Sequence, residues 1–213
     1  MFRHLYRYPA FIALLVVAVT VAVPVSARAG VNNDEVKAFV GSMAESAISS
    51  LTSTDIERDE RKARFRKLVH DYFAINAIAK WVLGRHWARA TSEQREEYLS
   101  LFEAMLLERY VDGFKNYSGE SLEVDRSEQR GENDFIVHTL LKKPGATQAT
   151  KVSWRVGVGE KDGKNVYRIV DIFVDGLSMS LTQQKEFNSL IRNNGNSVES
   201  LLKKMREIAK PAG

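Results

Sequence analysis

The chain has no cysteine among its 213 residues, only 4 prolines, and no acidic residue in positions 1–29. Without cysteine no disulfide can form, so stability must come from packing. Four prolines make no proline-rich linker, and no low-complexity stretch or internal repeat is present. There is no glycine-rich phosphate cradle. Beyond position 29 the histidines are His70, His86 and His138, which share no metal-ligand spacing on one helix face. Gly176-Leu-Ser178-Met-Ser180 has the outline of a nucleophile elbow but lacks its second glycine and a triad to serve it. Asp162-Gly163-Lys164 is a turn rather than a calcium loop. No residue set announces catalysis, and no cofactor or metal is expected.

The N terminus does carry a pattern. Arg3 and Arg7 precede an uncharged run from 9 to 23, which Pro24 breaks, and Ala27-Arg28-Ala29 has the spacing a signal peptidase accepts. The run is too short for a comfortable membrane span. Residues 1–29 are therefore expected to be a signal peptide cleaved after Ala29, with Ala27 as the alternative, and residues 30–213 a single exported domain. An exported chain without cysteine fits a bacterial periplasm better than a eukaryotic secretory route.

The net charge of +4 loses most of its meaning with that leader. Removing its three arginines leaves 28 bases against 27 acids, a net charge of +1. The remaining bases alternate with acids, as in Asp55-Ile-Glu-Arg-Asp-Glu-Arg-Lys-Ala-Arg64, which reads as a solvated helix face. A nucleic-acid partner is excluded on that pattern.

Apolar periodicity divides the rest. Val36, Phe39, Val40, Met43, Ala47 and Ile48 recur at helical spacing over 33–51, with Asn33 or Asp34 as the cap. A second helix is expected from about 54 to 72 and a third over 74–83, ending at Gly84. Thr91 with Gln94 forms a capping box that opens the longest helix, to about 117. The period then shortens to 2: strands are expected from 122, over 135–142, around 152–158 and over 167–174, with Asp162-Gly163 a strong hairpin signal. Helices over 182–192 and 197–209 finish the chain. This order predicts an α+β fold, a meandering antiparallel sheet of about four strands packed with an N-terminal helical set and two C-terminal helices.

Both faces of that sheet are partly apolar. Phe135 and Val137 oppose Ile136 and Leu140 on one strand, and Ile169 and Phe173 oppose Val170, Ile172 and Val174 on another. Such a sheet is either sandwiched between helices or curved around an apolar cavity. Pattern alone leaves both open.

Three segments carry a family resemblance. Phe65-Arg-Lys-Leu-Val-His-Asp-Tyr-Phe73 runs on through Ile78-Ala-Lys-Trp-Val-Leu-Gly-Arg-His-Trp87. Thr91-Ser-Glu-Gln-Arg-Glu-Glu-Tyr-Leu-Ser-Leu-Phe102 is followed by Leu106 and Tyr110. Val170-Asp-Ile-Phe-Val-Asp-Gly-Leu-Ser178 precedes Thr182-Gln-Gln-Lys-Glu-Phe187 and Asn194-Gly195. In this order and spacing, over about residues 35–205, the chain resembles the MlaC family of periplasmic phospholipid carriers, also called toluene-tolerance auxiliary proteins. His70-Asp71 departs from the more usual Phe-Asp, and Tyr167 stands where tryptophan is frequent. Both leave the subfamily open, including members linked to hopanoid metabolism.

The resemblance implies a cone-shaped fold enclosing a lipid cavity. It also implies a monomeric shuttle between an outer-membrane lipoprotein complex and an inner-membrane ABC transporter with its MCE-domain subunit. A methylene moved into water costs about 0.8 kcal/mol, so two chains of about fifteen carbons cost on the order of 20 kcal/mol. A carrier must supply apolar surroundings and needs no catalytic group. The implied lining is Val137, Val152, Trp154, Val156, Val170 and Ile172 on the sheet, with Trp81, Phe102, Leu106 and Tyr110 on the helices. A one-residue register shift would exchange the two strand faces. Lys80, Arg85 and Arg89 are candidates to attract a phosphate headgroup, with a merely solvated side chain the default for each. Two other readings stand beside this one. An enzyme of similar fold would need a buried titratable cluster, with Asp171 and His138 the first pair to inspect. A structural subunit of an ABC transporter would have a filled core.

Overall fold

The computed structural model describes residues 31–209, so the signal peptide expected over 1–29 lies outside the described residues. Helix α1 (Asn33–Leu51) is capped one residue earlier than expected, by Asn32, whose side chain accepts from the Asp34 N–H at 2.9 Å. Adjacent asparagines are chemically equal as caps, and the pattern does not choose between them. At the other end of α1, Arg61 changes the reading of the charged run. It is only 2% exposed, and it donates from Nε to the Leu51 carbonyl and from Nη2 to the Ser53 carbonyl, each at 2.9 Å. These carbonyls lie where a helix leaves acceptors unpaired, and the cation suits the negative end of the dipole. Residues 52–57 form the corner, and α2 (Arg58–Tyr72) starts later than its pattern suggests.

Helix α3 (Ile75–Leu83) gives way at Gly84 to a 3-10 turn (Gly84–Arg89). Helix α4 (Ser92–Lys115) then opens with the expected capping box. Gln94 N–H donates to Thr91 Oγ1, and Thr91 N–H donates to Gln94 Oε1, both at 3.2 Å. An ion network of Arg58, Lys62, Glu108 and Asp112 ties α4 to α2.

The sheet is an antiparallel meander in the order β1-β2-β3-β4-β5. Its strands are β1 (Ser121–Gly131), β2 (Asp134–Lys142), β3 (Thr150–Lys161), β4 (Lys164–Val174) and β5 (Leu177–Ser178). Asp162 (φ 53°) and Gly163 (φ 73°) make the expected two-residue turn, whose positive angles suit the twist of the flanking strands. Asp175 (φ 47°) and Gly176 (φ 85°) repeat it, and so add β5, a strand too short to show in a periodicity. Two closing helices, α5 (Met179–Asn193) and α6 (Val198–Ile208), follow directly. The α+β architecture is the expected one, with five strands rather than about four.

Two apolar clusters hold the chain. One is helical: Phe65, Tyr98, Phe102, Leu107, Val111, Phe187, Ile191, Leu201, Leu202 and Met205 join α2, α4, α5 and α6. At its centre Tyr98 is fully buried and donates its hydroxyl to the Ala79 carbonyl at 2.8 Å, which locks α3 in place. The second cluster packs Val36, Val40 and Met43 of α1 on one face of the sheet, against Phe135, Val137, Val156, Val158 and Ile169. Among the described residues no helix is long and apolar enough to cross a membrane.

His86 ties the 3-10 turn to α5. It is 1% exposed, and its Nε2 lies 2.9 Å from Asn188 Oδ1. Burial holds its pKa below the ordinary 6.5, against the raising effect of the Asn188 bond, and Arg85 and Arg89 add to the lowering. The unfolded chain thus binds this proton at a higher pH than the native one does, so stability falls as pH drops through about 6.5. His86→Gln should flatten that part of the stability curve, read as thermal midpoints of both proteins between pH 7.5 and about 5. Thr91→Ala should cost about 1 kcal/mol in urea unfolding, with an unchanged slope, because it leaves the N-terminal N–H groups of α4 without their acceptor.

Candidate functional site

The sheet residues chosen from the sequence do not all share a face. Register pairs Phe135 with Val156, Val137 with Trp154, and Thr139 with Val152, which places these six side chains together. Across the next ladder Val152 pairs with Val174, Trp154 with Ile172, and Val156 with Ile169. Val170 is skipped between Asp171 and Ile169. That bulge breaks the two-residue alternation, so Ile169 joins Ile172 on the α1 side. Val170 faces the other way, where a Cβ added at Gly157 would lie 3.4 Å from its Cγ1. The expectation that Val170 lies inward with Val156 is therefore corrected. Strict alternation from Ile172 includes Val170 and omits Ile169, and the added residue reverses that choice.

Val137 and Val156 are fully buried against α1, and Val152 is buried beside them. Trp154 is half-buried, and its indole N–H donates to Thr139 Oγ1 at 3.1 Å. The Thr139 hydroxyl in turn donates to the Val152 carbonyl at 2.8 Å. This chain satisfies the polar atoms of two strands and leaves the face of the Trp154 ring as apolar surface. Ile172, across from Trp154, is also half-buried.

The helical candidates separate as well. Phe102 belongs to the helical cluster, with ring centroids 5.8 Å from Tyr98 and 6.5 Å from Phe187, so it is interior packing among helices. Leu106, one turn on, is half-buried at the edge of that cluster, as is Phe114. Trp81 and Tyr110 are not inward-facing: they are 49% and 45% exposed. A large aromatic on an apolar stripe reads as core in a sequence, but the stripe of α3 is completed by Ala79, Val82 and Leu83 instead.

At the edges of the two clusters some apolar side chains stay only partly covered. Trp154 and Ile172 border the sheet cluster, Leu106 and Phe114 border the helical one, and Tyr72 and Phe73 touch both. Phe73 also bridges to Ile169 of β4, and the Ala74 N–H donates to the Ile169 carbonyl at 3.0 Å. The chain between α2 and α3 therefore ties the helices to β4.

Asp171 and His138 do not form a pair. The Asp171 carboxylate accepts from Ile172 N–H at 2.9 Å, Ser178 Oγ at 2.6 Å and Ser180 N–H at 3.1 Å, at the start of α5. His138 Nδ1 lies 2.9 Å from Ser153 Oγ. Each has other partners, and among the described residues no group of three or more His, Asp or Glu could hold a metal ion.

A second feature escaped the sequence reading. A cleft of about 460 Å³ lies between the 3-10 turn and α5, lined by Gly84, Arg85, Gln184, Lys185, Asn188 and Arg192. A side chain at Gly84 would meet Gln184 Nε2 at 3.2 Å, so the close approach of the two elements depends on this glycine. Only Arg85 was a candidate here. Lys80 lies over the Trp87 ring, 5.6 Å from its centroid, and Arg89 is exposed. The signal that was available is the absence of any acid over residues 72–92.

The comparisons with known proteins agree with the resemblance. The family model for MlaC protein matches residues 42–207. The intermembrane phospholipid transport system binding protein MlaC of Haemophilus influenzae is 25% identical over 141 residues, which is 65% of this chain. That match spans 63% of the relative's own length, less than two thirds of it. A solved phospholipid-binding protein from Ralstonia solanacearum, in complex with a phospholipid, superposes with a TM-score of 0.68 at 19% identity, over 82% of this chain and 96% of the other. At that identity the likeness is one of fold. Because a single family model accounts for most of its length, the chain belongs to the MlaC family.

Proposed function

We propose that this protein is a periplasmic phospholipid carrier that holds acyl chains in a seam between its two apolar clusters. It takes lipid between an outer-membrane lipoprotein complex and an inner-membrane ABC transporter with an MCE-domain subunit. The observation that carries the reading is the pair of half-covered apolar borders: Trp154 and Ile172 on the sheet, Leu106 and Phe114 on α4. Side chains of this size contribute most when fully buried, about 1.5–3 kcal/mol each, and a hydrocarbon tail supplies the missing cover. The bound phospholipid of the Ralstonia solanacearum protein and the transport role of the Haemophilus influenzae relative support the same conclusion.

Lining residues on this reading are Val152, Trp154, Ile172 and Leu106. Val137, Val156 and Phe102 act behind them as packing. No step requires an acid, a base or a nucleophile, because release is transfer of hydrocarbon from one apolar environment to another. The alternative of a lipid-free structural subunit predicts stable isolation with an ABC transporter and no bound lipid.

The full chain, expressed and purified without detergent, should show added mass in native mass spectrometry that solvent extraction identifies as phospholipid or, for a hopanoid-linked member, as that lipid. Trp154→Glu and Leu106→Glu should each lower the co-purified lipid about tenfold or more, since a carboxylate against hydrocarbon costs well over 1.4 kcal/mol. Circular dichroism should stay unchanged. A lipid-free wild-type protein would refute the carrier reading.

A further inference from the structure

We infer that the corner formed by α3, the 3-10 turn and α5 is a docking surface for an anionic phospholipid membrane. This goes beyond the cargo reading and rests on different residues. The charge here is one-sided. Residues 72–92 contain no acid but carry Lys80, Arg85 and Arg89, and α5 adds Lys185 and Arg192 with Glu186 as its one acid. Several arginines elsewhere are matched, since Arg58, Arg64, Arg66, Arg155 and Arg206 each hold a carboxylate. Arg85, Arg89, Lys185 and Arg192 form no ion pair with a described residue.

The donors converge. Arg85, Lys185 and Arg192 line the cleft, and so does Asn188, whose Oδ1 is held by His86 at 2.9 Å. With its acceptor engaged, Asn188 can offer its side-chain N–H groups to an anion. A cleft walled by three cations and an amide suits a phosphate or phosphoglycerol headgroup.

The neighbouring apolar residues decide between a bilayer and an acidic protein. Gln184 of the cleft donates to the Trp81 carbonyl at 2.7 Å, which brings the α3 backbone against α5, and Leu181 lies one helical turn before Gln184. Trp81, Leu181, Met179 and Leu177 are all exposed, Leu177 at 71%. An acidic protein surface would match the cations alone. A membrane interface accepts both sets, because indole and aliphatic side chains sit at headgroup depth while Lys and Arg meet lipid phosphates.

The test is sedimentation of the purified full chain with vesicles of equal phosphatidylglycerol and phosphatidylcholine, and with phosphatidylcholine alone. Binding is expected to the anionic vesicles only, and to be lost in 0.5 M salt, where charges are screened within a few ångströms. Each surface cation contributes a factor of about five, so the triple variant Arg85→Gln, Lys185→Gln, Arg192→Gln should bind about a hundredfold more weakly. Leu181→Ser should weaken binding severalfold, whereas the charge-preserving pair Arg85→Lys, Arg192→Lys should bind as wild type does. Co-purified lipid, measured in the same samples, should be unaffected in every variant. Loss of cargo with docking intact would count against the carrier reading alone. Equal vesicle binding by wild type and triple variant, or none by wild type, would overturn the docking surface. So would a triple variant whose only loss is capture of an acidic polypeptide, which would assign the cleft to a protein partner.

Discussion

Where the sheet passes into the C-terminal helices, the carboxylate of Asp171, only 9% exposed, accepts hydrogen bonds from Ile172, Ser178 and Ser180. A buried carboxylate without partners would be costly, and these donors together with the positive end of α5 account for its charge. The same contacts fix the direction in which α5 leaves β5. That direction brings Phe187 and Ile191 into the helical cluster and Gln184 and Asn188 against α3 and the 3-10 turn. In a chain without cysteine, the relation of sheet to helices rests on such noncovalent ties.

The two apolar clusters divide the work of stability. The helical one is closed around Tyr98 and its aromatic neighbours. The sheet one is closed by α1, whose C-terminal carbonyls are held in turn by Arg61. Apolar side chains left partly covered at their edges gain further burial from any hydrocarbon that enters. On the proposed carrier reading, such a division lets cargo come and go without exposing either cluster.

Helix α5 serves both sides of the molecule. Phe187 and Ile191 face the helical cluster, whereas Lys185, Asn188 and Arg192 line the basic cleft. The proposed lipid-holding region and the proposed membrane-docking cleft thus share no residue, although α5 packs on the helical cluster and lines the cleft. Charge governs one, and apolar area the other.

Much of this was legible in the sequence, for identifiable reasons. Helical and strand periods, the Thr91–Gln94 capping box and the Asp162–Gly163 hairpin are local, and local rules predict them. β5 was missed because two residues make no period, and the inward face of β4 was misread at Val170 because one extra residue reverses an alternation. Trp81 and Tyr110 were misplaced because an apolar stripe does not say how wide a face its neighbours cover. The cleft was hidden because Arg85 and Arg192 meet only in space, although an acid-free stretch hinted at it. By itself, then, the sequence determined the element order, the α+β class and the kinship with MlaC, all written in short-range spacing. Which apolar residues close a core, which stay partly covered and which cations share a cleft were decided by tertiary packing alone, because burial and charge proximity depend on contacts between residues far apart in the chain.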